Sequence, residues 1–350
     1  MTAHYERRGA TAVLQLDHPP VNGLGAATRA ALAEGLHRAL DDGKITAIVI
    51  TGTGTVFSGG ADIREFNTPA AFAEPNLLQL IDLVEASRKP IIAAINGVCM
   101  GGGLELALGC HYRIATPDAS MALPEVKIGI LPGAGGTQRL PRAVGAAQAL
   151  AMIVSGDPIP ADLALKHGLI ERIVERTSFD GVLQFAAEVG ARAKHPRLRD
   201  RTVNRAGSDE LLAAARAKVA RESRGLPAPA RCVDAVEASV TQPFDEGMAI
   251  ERRYFFELVQ TPESKALRHA FFSERTAAKI PDVPDSTPVR PVRSAAVIGF
   301  GTMGGGIAMS FANAGIPVTV YEKDAAALER GLAACRRNWE ATAKKGRITA

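Results

Sequence analysis

Asn96-Gly97-Val98-Cys99-Met100-Gly101-Gly102-Gly103-Leu104-Glu105-Leu106 is the stretch that decides how this chain of 350 residues reads. It follows a buried-strand run, Ile91 to Ile95, breaks at Asn96-Gly97, and passes through three glycines into an apolar helical start. A helix N-terminus carries unpaired N–H donors and the positive end of the helix dipole, which suits an oxygen that gains negative charge. Glu105 falls in the first turn of that helix. Its neighbours Leu104, Leu106, Ala107 and Leu108 are apolar, so the helix reads as buried. An unpaired buried carboxylate is costly, and that cost usually marks function. Each feature also has a plainer reading. Three glycines allow tight strand–helix packing, and a first-turn glutamate suits the dipole on a surface.

Two more segments flank this one. Phe57-Ser58-Gly59-Gly60-Ala61-Asp62-Ile63 places paired glycines after a strand and loop, where backbone N–H groups can face a ligand with no side chain between. Leu123-Pro124-Glu125 precedes Gly129-Ile130-Leu131-Pro132-Gly133-Ala134-Gly135-Gly136-Thr137. Glu125 alone carries no information; the combination of three segments does.

Further out, β-branched runs at Thr11 to Leu16 and Ile45 to Thr51 enclose Ala26 to Leu40, where Leu32, Leu36 and Leu40 form a helical stripe. Such alternation predicts an α/β core. After Val174 the texture changes: Phe179 to about Lys279 is rich in Ala, Glu, Arg and Leu and reads as helices. Pro281 to Pro291 carries four prolines and reads as an extended linker. The expected organisation is therefore 1–178, 179–293 and 294–350.

The bulk composition bounds the partners. Hydrophobic residues make up 47% and charged residues 22%, ordinary for a globular protein. Lysine and arginine exceed the acids by 41 to 37, too small and too spread an excess to argue for nucleic acid. Cys99, Cys110, Cys232 and Cys335 show no paired spacing and no metal-ligand pattern, so reduced idle thiols and no metal site are expected. The N-terminus lacks a signal pattern, and the apolar run Ile91 to Cys110 is broken by Asn96, Glu105 and glycines. No membrane insertion and a cytoplasmic, bacterial-type setting rather than a peroxisomal one are expected.

The segments SGGADI, NGVCMGGGLELALGC and LPEVKIGILPGAGGTQRL resemble, in order and spacing, the signature of the crotonase (enoyl-CoA hydratase/isomerase) superfamily. The resemblance runs from the N-terminus to about Val174 and implies a ββα spiral core and an acyl-CoA thioester substrate. It implies that the N–H groups of Ala61 and Gly102 form an oxyanion hole, that Glu105 and Glu125 are the acid/base pair, and that Gly133 helps place the water. Hydration of a 2-trans-enoyl thioester puts charge on the carbonyl oxygen, and losing one oxyanion donor typically costs roughly 10²–10³ in rate. One carboxylate activates water for C3 and one carboxylic acid protonates C2. In the family's usual assignment these are Glu105 and Glu125 respectively. No cofactor is needed. A 3-enoyl-CoA isomerase and a non-catalytic acyl-CoA-binding module are the alternatives.

In the last segment, Gly299, Gly301 and Gly304 form G-x-G-x-x-G directly after the strand Ala295 to Gly299. A helical pattern from Ile307 to Ala314 and a strand from Val318 to Tyr321, ending at Glu322, complete a dinucleotide fingerprint that favours NAD. This stretch resembles the start of the L-3-hydroxyacyl-CoA dehydrogenase domain, and Phe244 to Lys279 looks like the linker helices of the bifunctional hydratase–dehydrogenases of fatty-acid β-oxidation. With one βαβ unit before Ala350, the expectation is that NAD is not bound competently and no hydride is transferred. A thiolase partner or self-association is compatible with the sequence.

Overall fold

The computed structural model describes residues 2–350 except 67, 176–178, 278, 285, 345–347, 349 and 350. The chain forms two compact units, Met1–Ala277 and Ala278–Ala350.

The first unit starts with a hairpin, β1 (Ala3–Arg8) and β2 (Thr11–Leu16), followed by α1 (Ala26–Asp41). Three similar passages follow. They are β3 (Ala47–Gly52), β4 (Val56–Ser58) and α2 (Leu77–Glu85); then β5 (Ile91–Ile95), β6 (Val98–Met100) and α3 (Gly102–Gly109); then β7 (Tyr112–Ala115), β8 (Ser120–Ala122) and α4 (Gly136–Val144). In each passage the first strand joins one sheet and the second joins another. The sheet orders are β1-β2-β3-β5-β7-β10 and β4-β6-β8-β9, after α5 (Ala146–Ser155), β9 (Ile159–Pro160), α6 (Ala161–Lys166) and β10 (Arg172–Ile173) complete them. The chain is thus a ββα spiral. From β2 to β10 the larger sheet is parallel, and β3 and β5 are buried along their whole length. That is why they read as unbroken apolar runs rather than alternating ones.

A parallel sheet needs cover on both faces. The main core lies on one face of the larger sheet; on the other, Val13, Val49, Ile92 and Tyr112 meet Val182, Phe185, Ala186 and Val189 of α7 (Asp180–Gly190). The boundary expected at 178 falls at residues outside the described ones, and α7 just beyond it belongs to the first unit. So do α8 (Ser208–Glu222), α9 (Ala228–Thr241), α10 (Phe244–Val259) and α11 (Pro262–Ala277). The change in composition marks a change of element type, not the end of the core.

In the second unit β11 (Ala295–Ile298) pairs in parallel with β12 (Val318–Tyr321), with α12 (Thr302–Asn313) between them and α13 (Ala325–Lys344) after. Val297, Phe300, Ala308 and Cys335 form its small core. The Pro-rich segment before it has no regular structure among its described residues.

Candidate active site

The three glycine segments converge where β4, β6 and β8 end. Gly101 has φ 54 and Gly60 has φ 100, both in the region that favours glycine. At Gly103 the reason for glycine is space: a Cβ there would lie 2.7 Å from Ser58 Cβ and from its carbonyl oxygen. Helix α3 therefore rests directly on β4. Ser58 Oγ donates to Asn22 O at 2.8 Å and accepts from Gly60 N at 3.1 Å, fixing the turn that presents Ala61. A Cβ on Gly60 would lie 3.0 Å from Gly102 N, and one on Gly102 would lie 3.0 Å from Ala61 N. The two N–H groups expected to form the oxyanion hole are thus neighbours, and Gly102 N–H belongs to the opening turn of α3, where a helix cannot pair its own donors.

All of α3 is buried, including Glu105, which is 3% exposed. Its Oε1 accepts from Ala134 N at 2.8 Å and from Gly136 N at 2.9 Å, at the start of α4. Burial raises the Glu105 pKa, while these two donors and the more distant charges of Arg139 and Arg252 hold it back.

Glu125 sits on the 3-10 turn Pro124–Ile128, which Gly129 closes with φ 73. A Cβ on Gly101 would come 3.0 Å from Glu125 Oε1, which places the carboxyl beside the oxyanion turn. Its Oε2 is buried with no hydrogen-bond partner among the described residues. Burial first, and then the charge of Glu105, push its pKa well above the ordinary carboxylate value. Of the two, Glu125 holds its proton more tightly. Burial and like charge thus act unequally on the two carboxyls, as expected of two like charges that share a site.

Gly133 opens the turn that pins Glu105 and has no room for a side chain, because the Phe255 ring of α10 lies against it. Phe255 meets Phe66 edge-on at 6.0 Å. Arg64, close to Phe66 in sequence, is exposed and paired with Asp62 at 2.8 Å. The loop 67–76 precedes α2, and its first residue, Asn67, lies outside the described residues. Its later part is pinned by a residue the sequence did not single out. The buried Arg29 donates to the carbonyls of Ala70, Ala73 and Pro75 and pairs with Glu65 at 3.0 Å.

A third carboxylate was also missed. Glu251 of α10 is fully buried and accepts from Gly135 N at 2.6 Å, Thr137 N at 2.9 Å and Thr137 Oγ1 at 2.6 Å. Burial, and then the charge of Glu105, raise its pKa to about 8 against the pull of these donors. A signal existed: Gly247, Glu251, Phe255 and Leu258 share one helical face, and three of them are buried.

In the second unit Gly299 has φ 88, and a Cβ on Gly304 would fall on the Gly299 carbonyl. Glycine there lets α12 close up against the strand. A Cβ on Gly301 would meet nothing within 4 Å. Glu322 accepts from Phe300 N at 2.8 Å and Asp324 N at 3.3 Å, so its carboxylate braces the glycine turn; the Phe300 bond is the main cause of its lowered pKa. Among the described residues no helix is long and apolar enough to cross a membrane, and no cluster could hold a metal ion.

The arrangement brings two backbone N–H groups side by side in a ββα spiral, with the carboxyls of Glu105 and Glu125 next to them. Residues 6–224 match the enoyl-CoA hydratase/isomerase family, and the chain belongs to it. Residues 294–350 match the NAD binding domain of 3-hydroxyacyl-CoA dehydrogenase. The peroxisomal bifunctional enzyme of Danio rerio is 44% identical over 336 residues, covering 94% of this chain and 46% of its own length. The peroxisomal fatty acid beta-oxidation multifunctional protein of Oryza sativa subsp. japonica is 37% identical over 350 residues, covering 97% and 48%. The chain thus spans about half the length of the curated relatives it matches. The solved structure of an enoyl-CoA hydratase from Bacillus anthracis matches with a TM-score of 0.52 and 25% identity, covering 79% of this chain and 98% of that one. The expectation of a cytoplasmic, bacterial-type setting rather than a peroxisomal one is overturned by these relatives, which are named as peroxisomal.

Proposed function

We propose that the first unit hydrates 2-trans-enoyl-CoA thioesters to 3-hydroxyacyl-CoA, as a step of fatty-acid β-oxidation. The observation that carries this reading is a pair of carboxylates with opposite surroundings, the buried Glu105 and the half-buried Glu125. Glu105 is held by two backbone N–H donors, and the Glu125 carboxyl leaves one buried oxygen unpartnered. The thioester carbonyl lies between the N–H groups of Ala61 and Gly102, which take up the charge of the enolate. Glu105, ionised, removes a proton from water as the oxygen attacks C3. Glu125, protonated, delivers its proton to C2. Gly133 lies in the turn next to the attacking water. The unpartnered Glu125 oxygen would also suit a proton transfer between C2 and C4, which is the isomerase reading.

Crotonyl-CoA hydration, followed as loss of the enoyl-thioester absorbance, tests this. The parent chain is expected to be active, and Glu105→Gln and Glu125→Gln to fall by about 10²–10⁴ in kcat. A folded parent that binds acyl-CoA but leaves the absorbance unchanged sinks the hydratase reading. Conversion of a 3-enoyl thioester in its place would establish the isomerase; no conversion of either would leave the non-catalytic binding module.

We further infer that residues 294–350 contribute an NAD cradle, in which the turn of Gly299, Gly301 and Gly304 and the opening of α12 take the pyrophosphate. The open space at Gly301 supports this. Glu322 is then placed for the ribose hydroxyls. NAD, when bound, supplies a hydride acceptor.

A further inference from the structure

The turn Gly133–Thr137 offers its amides alternately to two carboxylates. Ala134 and Gly136 donate to Glu105, whereas Gly135 and Thr137 donate to Glu251. Glu105 comes from α3 in the heart of the spiral. Glu251 comes from α10, beyond the residues 6–224 that carry the family match. Thr137 Oγ1 accepts from Gln138 Nε2 at 2.9 Å while donating to Glu251, so the carboxylate ends a directed chain of hydrogen bonds. Arg139 adds a further tie from its Nη1 to Ala134 O at 3.2 Å.

Gly135, with φ 100, lets successive amides point to opposite sides. Such a turn is held only as long as both sides accept. Without the Glu251 oxygens, the buried amides of Gly135 and Thr137 lose their acceptors, and an unmet buried donor is destabilising. The turn would rotate to find new acceptors, and the donors of Glu105 belong to the same turn.

We propose that Glu251 is a positioning residue of the hydratase site, aiming Glu105 by fixing the turn whose other amides bind it. The inference rests on the hydratase reading above and makes α10 a working part of the site rather than a spacer. Four charged groups bear on Glu251: Glu105 from α3, Glu125 from the 3-10 turn, Arg139 from α4 and Arg252 from its own helix. No lysine or arginine makes an ion pair with it among the described residues, so backbone and hydroxyl donors are its hold on the site.

The test uses the full chain with Glu251→Gln and Thr137→Val. Glutamine keeps the shape of the side chain but turns an NH2 towards one of the donors. Valine removes only the hydroxyl. The expected result for Glu251→Gln is a fall in kcat for crotonyl-CoA on the order of 10²-fold, the size a displacement of about 1 Å produces. KM should stay within about threefold, because the oxyanion donors that bind the thioester lie on another turn. The infrared carbonyl band of bound butyryl-CoA, which reads the hole at Ala61 and Gly102, should keep its parental position. Thr137→Val should move kcat the same way by about tenfold, the size the loss of one buried hydrogen bond produces, and it decides the matter if Glu251→Gln does not fold. An active parent whose folded variant keeps parental kcat overturns the positioning role alone. A shift of kcat, KM and the carbonyl band together also overturns it, since that is general loosening. An inert parent overturns the hydratase reading, and the role of Glu251 falls with it.

Discussion

The molecule makes the same local structure twice, with opposite surroundings. At Met100–Gly103 and at Ile298–Gly304 a parallel strand runs through glycines into a helix. In the first unit that junction is sealed: α3 is buried throughout, a Cβ on Gly103 would run into Ser58, and two carboxylates, Glu105 and Glu251, accept from the start of α4. In the second it is open. Ile298 is 85% exposed and Met303 80% exposed, and nothing approaches Gly301. Helix-start donors are common to both, but only the sealed junction has the low dielectric that separates two carboxyl pKa values. The lesson is that the strand–glycine–helix turn supplies donors, and the surroundings decide whether they face a buried cluster of carboxyls or open space.

The comparison can be broken most directly at Gly103. A methyl there meets backbone and Cβ of Ser58 at 2.7 Å, so Gly103→Ala must push α3 off β4. The expected loss is about 1–3 kcal/mol of stability for the first unit, read by urea unfolding followed through ellipticity. Hydration should fall as well, since Ser58 Oγ holds Gly60 N and with it the approach to Ala61. A variant with parental midpoint and parental rate would mean that the junction is not sealed as described.

The sealed junction is also where local sequence pattern ends and long-range packing begins. Glu105 and Glu125 were picked out as candidates because each stands in a short local pattern of glycines and apolar residues. Glu251 was not, because its partners Gly135 and Thr137 are 116 and 114 positions away, and in FDEGMAIERRYFF an acid reads as solvated. Arg29 hid for the same reason: on α1 a lone arginine looks like surface, whereas its guanidinium gathers carbonyls from residues 70–75. The strands β2, β5 and β12 were legible to the residue, since β-branched runs are local. The end of the first unit was not, because composition cannot tell a helix that covers the second face of a sheet from one that starts a new domain. Val182, Phe185 and Val189 reveal α7 as the former.

Acidity sharpens the contrast between the units. In the first, Glu105, Glu125 and Glu251 all have folded pKa values above the ordinary carboxylate value, chiefly from burial. Their contribution is fully present at low pH and lost as pH rises through the folded values, for Glu251 between about 4.5 and about 8. In the second, Glu322 has a lowered pKa, so its contribution is present at neutral pH and lost as pH falls. The urea midpoint of the first unit should therefore decline from about pH 5 to about pH 8, and Glu251→Gln should flatten that decline. Parallel pH curves for Glu251→Gln and the parent would show that the carboxyl is not raised. The second unit should weaken instead below pH 4.5.

The smallest expected effect is the most discriminating one for the open junction. Gly301 has φ −72, which any residue adopts, and a Cβ there meets nothing. Gly301→Ala should therefore change stability by no more than about 0.5 kcal/mol. Trp339 is the single tryptophan, packs on the small core of the second unit and donates to Asn313 Oδ1 at 2.9 Å, so its emission follows that unit alone. Gly304→Ala is the internal control: its methyl would fall on the Gly299 carbonyl and must shift α12. An emission midpoint unchanged by Gly301→Ala and lowered by Gly304→Ala would show one glycine kept for helix packing and the other for open space, which a dinucleotide needs and a folded core does not. Equal losses at both positions would mean that the second junction is closed like the first, and the contrast between the two units would fail.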